Sequence, residues 1–134
     1  MTYLTYPSVP NLVITWVLGL GDLLPAPVES STALPLAYEQ HLPFVRVARI
    51  GGSKEYGIDR ARVRLEVFAS NYDTAESIAL ALETAIEWDL PNFTDGDGRV
   101  IETDLISGMD QTYWDDEGVT RFMGTSGVVV GAQH

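Results

Sequence analysis

The sequence contains no cysteine and only two histidines among its 134 residues. Disulfides, thiolate metal sites and cysteine nucleophiles are therefore excluded, and the lack of cysteine is compatible with a reducing compartment. The sequence also contains no GxGxxG motif, no P-loop, no nucleophile elbow and no histidine spacing typical of a metal site. With neither a basic, apolar leader nor an apolar run of about 18 residues, it predicts neither a secretory signal nor a membrane span.

Positive charge is scarce, since eight lysines and arginines stand against nineteen acidic residues. Residues 1–70 are balanced, whereas residues 71–134 carry thirteen acids against Arg99 and Arg121 and so hold the whole net charge of −11. An acidic surface repels phosphate, which argues against a protein that grips nucleic acid. The alternative interpretation is that the acidity only keeps the protein soluble.

The centre of the chain holds two β-rich runs, residues 44–50 and 60–69. Period-two alternation in the second run predicts one buried and one available face. The buried face is Val63, Leu65, Val67 and Ala69, and the available face is Arg62, Arg64 and Glu66. Residues 51–59 contain three glycines and are predicted to form a long loop, mobile in a free monomer and ordered in an assembly.

Helical periodicity predicts two helices. The first covers residues 9–20 and is capped by Ser8, and the second covers residues 74–88 behind a capping box of Asp73 and Glu76. Further strands are predicted at 28–32, 99–106 and 119–132, with turns between them. Because consecutive strands lack helical crossovers, the prediction is one α+β domain, residues 1–134, with a mostly antiparallel sheet and two main helices packed on it.

In this order of elements the chain resembles the tail terminator proteins of long-tailed, non-contractile bacteriophages. The likeness is carried by the helix at 9–20, LPFVRVARIGG at 42–52, ARVRLEVFA at 61–69, the alanine-rich helix at 75–86 and YWDDEGVTRFMGTSGVVV at 113–130. The resemblance implies a ring, usually of six copies, that caps the tail tube, ends its polymerisation and offers a docking surface to the head-side connector.

The resemblance further implies a virion protein of the tail neck, assembled in the host cytoplasm, with no catalysis, no cofactor and no membrane. Its partners would be other copies of itself, the tail tube protein and a head-side connector or adaptor protein, and DNA would pass through the channel without specific binding. Candidate contact residues for a subunit or partner are Arg46, Lys54, Tyr56, Arg60, Arg62 and Arg64. Candidate acids facing the channel are Glu76, Glu83, Glu87, Asp89, Asp95 and Asp97.

Two alternatives to a tail terminator remain open. Head–tail adaptor and head-completion proteins are neck proteins of similar size. A small-ligand-binding protein or cofactor-free enzyme is a different class, in which Trp16, Trp88 and Trp114 would line a pocket. No catalytic residue and no metal ligand is predicted, because the acids lack an evidently apolar setting and Asp95 and Asp97 form only part of a calcium loop.

Overall fold

The computed structural model describes residues 5–96 and 98–132, in which two α-helices pack on a six-stranded sheet. The helices are α1 (Val9–Leu18) and α2 (Tyr72–Trp88). The strands are β1 (Glu29–Ser31), β2 (Phe44–Glu55), β3 (Ile58–Ala69), β4 (Thr94–Asp95), β5 (Gly98–Thr112) and β6 (Thr120–Ala132). The predicted α+β class with two helices is confirmed.

The sheet has the order β1-β2-β3-β6-β5-β4 and is mixed. β1 runs parallel to β2, whereas every other neighbouring pair is antiparallel. β5 continues to Thr112, well beyond the predicted end at residue 106, because three register shifts let it stay paired with β6. Residues 108–118, predicted from the sequence as a turn or a short strand, therefore begin as the last part of β5.

Both helices lie on one face of the sheet, here called the helix face. The main core lies between the helices and this face. The alternation predicted for β3 places Val63, Leu65, Val67 and Ala69 in this core, and Phe122, Val128 and Val130 of β6 join them. The other face, called the open face, carries a small second cluster of Phe44, Phe68 and Val119. This cluster is covered by Leu34, Tyr38, Leu42 and Trp114.

Both helices begin at a side-chain cap, but only the cap of α1 is the predicted residue. The Ser8 hydroxyl accepts from the Asn11 N–H at 3.4 Å, as predicted for α1. α2 begins at Tyr72, because the side chain of Asn71 caps it by accepting from the Thr74 N–H at 2.9 Å. The predicted capping box that starts at residue 73 is therefore wrong.

The predicted loop at residues 51–59 is also wrong, because β2 and β3 continue to a two-residue turn, Tyr56-Gly57. Both turn residues have positive φ angles, 52° and 77°, which suits a tight hairpin turn. Gly52 sits beside a register shift with a φ of 124°, and a Cβ there would overlap the Arg60 carbonyl oxygen. The glycines thus mark a bulge and a turn within one hairpin.

Candidate interaction surface

The open face carries most of the positive charge of the protein. Alternation along β3 places Arg60, Arg62 and Arg64 on this face, with the first two exposed and the third half-buried. Neighbouring strands add one arginine each, since Arg46 pairs with Glu66 and Arg121 with Phe68 across the ladders. We call this set the arginine stripe: Arg46, Arg60, Arg62, Arg64 and Arg121.

Glu66 is buried within the arginine stripe, although the sequence predicted it on an available face. Its side chain is only 1% exposed, and Arg46 donates to its two oxygens at 2.8 and 2.9 Å. Arg121 Nη1 donates to Glu66 Oε2 at 3.2 Å, and Arg64 Nε lies 3.7 Å from Oε1 without forming a hydrogen bond. The alternation was right, but three guanidinium groups cover the carboxylate.

Aromatic rings fix two of these arginines. The Arg46 guanidinium lies 5.5 Å from the centre of the Phe68 ring, and that of Arg121 lies 5.0 Å from the centre of the Trp114 ring. Both distances suit cation–π contact. One carboxylate against three guanidinium groups leaves an excess of two positive charges, held in place by packing.

Acidic side chains form a second stripe on the same face. Glu102, Asp104 and Asp110 of β5 are exposed and lie opposite Val129, Gly127 and Met123 of β6. We call Glu102, Asp104 and Asp110 the acidic stripe. It lies two strands from β3, about 10 Å, and within the described part of the chain no ion pair joins it to the arginine stripe. Apart from Arg99 at the start of β5 and Glu55 at the hairpin tip, the open face is therefore segregated by charge.

The other two predicted contact residues lie at the tip of the β2–β3 hairpin. The Lys54 ammonium lies 5.5 Å from the centre of the Tyr6 ring, and Tyr56 is 91% exposed. Lys54 is eight residues along β2 from Arg46, about 26 Å. The structure thus separates the six predicted contact residues into the arginine stripe and the hairpin tip.

A second buried ion pair supports this hairpin on the helix face. Asp59 is 1% exposed and accepts from Arg49 Nη1 and Nη2 at 2.7 and 2.8 Å. The hydrogen bonds with Asp59 raise the pKa of Arg49 above its ordinary value. Because this pair spans the bulge near Gly52, it holds together the two strands where their register shifts.

Three of the predicted channel acids have partners within the chain. Glu83 accepts from the Met109 N–H at 2.8 Å, Asp89 accepts from Trp16 Nε1 at 2.8 Å, and Glu76 accepts a tyrosine hydroxyl of its own helix at 2.7 Å. The first contact joins α2 to β5, and the second joins the residue that follows α2 to α1. No sequence spacing indicates the contacts of Glu83 and Asp89, because their partners are 26 and 73 residues away.

The remaining predicted channel acids are Glu87 and Asp95, which are exposed, and Asp97, which lies outside the described residues. α2 lies on the helix face, so its acids do not belong to the acidic stripe. That these residues face a channel stays a prediction.

The three tryptophans do not line a common pocket. Trp16 is buried in the main core, Trp114 packs on the open face, and Trp88 is 73% exposed. Across residues 5–96 and 98–132, no group of three metal-ligating side chains is assembled. The same residues include no helix long and apolar enough to cross a membrane.

A hydrogen-bond network that the sequence did not predict connects the side chains that cover the second cluster. The Tyr38 hydroxyl donates to Asp116 Oδ2 at 2.6 Å and accepts from Trp114 Nε1 at 3.0 Å. The Tyr38 bond, with a second from the Gly118 N–H, lowers the pKa of Asp116. Burial, and then the bond to Asp116, raises the pKa of Tyr38.

No protein-family model matches the chain, and a search of curated proteins finds no matching sequence.

Proposed function

We propose that this protein is a tail terminator, a structural subunit of the neck of a long-tailed, non-contractile phage. Copies of the chain, six in the proposed ring, cap the tail tube, end its polymerisation and present a surface to the head-side connector. The protein acts in the virion after assembly in the host cytoplasm, and it uses no catalytic residue and no cofactor.

The observation that most supports a contact role is the segregation of charge on the open face. The arginine stripe keeps an excess of two positive charges around Glu66, while Arg60 and Arg62 extend it into solvent. Complementary charged patches steer association and fix the register of subunits. The stripe therefore suits acidic side chains of a neighbouring copy or of the tail tube protein.

The overall charge supports passage of DNA without capture. α2 carries four acids and no base, and the whole chain has a net charge of −11. A channel wall formed by these acids would repel a DNA duplex over a Debye length of about 8 Å in physiological salt. We expect the free protein to show no measurable DNA affinity at low salt, where any electrostatic attraction is strongest.

Charge reversal tests the contact surface. Arg62→Glu reverses an exposed residue of the stripe, and Arg99→Glu is its control, because Arg99 is also exposed but lies at the start of β5. Arg64 is unsuitable, since a carboxylate there would lie beside the buried Glu66. We expect Arg62→Glu to fold normally but to lose self-assembly or tube capping, and the control to keep both.

Sedimentation and tube-length measurements separate the outcomes. Loss of self-assembly in sedimentation assigns the stripe to a subunit contact, whereas intact rings that no longer cap tubes assign it to the tube. Normal assembly and capping by Arg62→Glu would place the contact elsewhere. The terminator function itself predicts shorter tubes when the wild-type protein is added to polymerising tube protein. Unchanged tube lengths would favour an adaptor or head-completion protein instead.

A further inference from the structure

Both outer edges of the four long strands are open over most of their length. β4 pairs only with Gly98 and Arg99 of β5, and β1 pairs only with residues 44–46 of β2. Among the described residues no other strand pairs with these two edges. Open edges present unpaired backbone donors and acceptors, which are templates for pairing with another chain.

The open edge of β5 also borders a groove. The groove has a volume of about 450 Å³ and lies between residues 101–105 and the end of α2, where Ile86, Glu87 and Pro91 form its far wall. Ile101, Leu105 and Ile106 of β5 are each 43–48% exposed. The open part of β2 likewise exposes Ile50, at 47%. Pairing of these edges would remove apolar side chains from water.

We propose that β5 of one copy pairs, antiparallel, with the open part of β2 in the next copy, so that the sheet continues from subunit to subunit. This inference rests on the proposed ring, and it names the backbone contact that closes it.

Strand direction allows this pairing by rotation alone. The four strands between the open edges, β2-β3-β6-β5, alternate in direction, so β2 and β5 run opposite ways. A copy rotated about an axis roughly parallel to the strands places its β2 beside β5 in antiparallel orientation, with the open faces on the same side. An even number of alternating strands is what a closed ring of this kind requires.

Charge favours β2 of the neighbouring copy, and not its β5, as the strand that pairs with β5. Residues 100–112 contain three acids and no base, whereas residues 47–55 contain Lys54 and Glu55, which balance, and Arg49, which is already paired with Asp59. Two β5 edges would bring like charges together, and like charges directly opposite destabilise strand pairs. A head-to-tail contact between β5 and β2 avoids this repulsion and generates a ring.

Register shifts limit where the pairing occurs. Residues 102–105 of β5 and residues 51–55 of β2 are each free of a shift, and both are exposed over most of their length. Bulges elsewhere on both strands protect the edges from indiscriminate pairing. We therefore expect these two short segments to meet.

Engineered disulfides test the pairing cleanly, because the chain has no cysteine of its own. Ser53→Cys on β2 is combined with either Asp104→Cys or Glu102→Cys on β5. All three residues lie on the open face, and the two combinations test two registers of the pairing. Paired Cα atoms in antiparallel strands lie about 4.5–5.5 Å apart, within disulfide range. Ser53→Cys with Ser77→Cys, on the exposed surface of α2, is the matched control.

The expected result is a ladder of covalent multimers ending at the closed ring for one β5 pair, and none for the control pair. Amides of residues 102–105 should also exchange at least about tenfold more slowly in the assembly than in the free subunit. Assemblies of normal mass with no cross-link and unchanged exchange would overturn the pairing and leave the ring proposal standing. Covalent dimers from Asp104→Cys alone would show β5–β5 pairing instead. A chain that stays monomeric, alone and with tail tubes, would overturn both proposals.

Discussion

Glu66→Gln should be among the most destabilising conservative changes in the chain. The substitution keeps the size of the side chain but removes its charge from among three guanidinium groups. Glu66 accepts two hydrogen bonds from Arg46 and one from Arg121, and it is 1% exposed. The glutamine amide nitrogen cannot accept, so at least one arginine donor loses its partner.

The magnitude follows from burial. Removing one partner of a buried ion pair costs about 3–5 kcal/mol. The arginine side chains are 24% and 18% exposed, so water can solvate them in part. The lower end, about 3 kcal/mol, is therefore expected. With a urea m-value of about 2 kcal/mol/M, the unfolding midpoint should fall by about 1.5 M.

Urea unfolding followed by circular dichroism measures this change. Glu87→Gln is the matched control, because Glu87 is exposed and its loss should change stability by less than about 0.5 kcal/mol. A double-mutant cycle with Arg46→Gln should give a coupling energy of about 1.5–3 kcal/mol. A loss below about 1 kcal/mol for Glu66→Gln would refute the reasoning, since the carboxylate would then contribute no more than a surface ion pair.

Two further predictions concern the backbone and pH. Gly52→Ala should cost well over about 1 kcal/mol in urea unfolding, because its Cβ would overlap the Arg60 carbonyl oxygen, whereas Gly21→Ala, also at positive φ but with no atom within 4 Å, should cost about 1 kcal/mol; equal losses would contradict the steric argument. The lowered pKa of Asp116 means that its bond to Tyr38 stabilises the fold above the unfolded pKa of 3.8, and that this contribution is lost as pH falls through the folded value. Acid titration of tryptophan fluorescence should therefore show a transition below about pH 4 that Asp116→Asn abolishes, and its persistence in that variant would exclude Asp116 as the cause.

Periodicity was sufficient to predict the faces of the central strands and both helices. Val63, Leu65 and Val67 alternate with charged residues, and strand geometry leaves them one face to share. Glycine was misleading, because it occurs both in loops and at bulges. At Gly52 it relieves a close approach between strands, and at Gly57 it completes a two-residue turn, so neither residue marks a loop.

The environment of the charged residues could not be predicted from spacing. From the sequence Glu66 is predicted to face solvent, because the arginines that donate hydrogen bonds to it lie far away in the chain. Arg46 comes 20 residues earlier and Arg121 comes 55 residues later. Asp89 likewise depends on Trp16, which is 73 residues away. Only the folded sheet brings such residues together, so the candidate surface was predicted in its arginines but not in the carboxylate at its centre.

The position of β6 in the sheet has a consequence for the rate of folding. β6 lies between β3 and β5, so the two halves of the sheet join only when it pairs with β3. That ladder connects residues 51 apart at Ala69–Thr120 and 73 apart at Ile58–Gly131. Closing such long loops costs entropy before any contact is gained, whereas the β2–β3 hairpin closes through two residues. Refolding should therefore be limited by docking of β6, on the millisecond-to-second scale of chains dominated by non-local strand pairs.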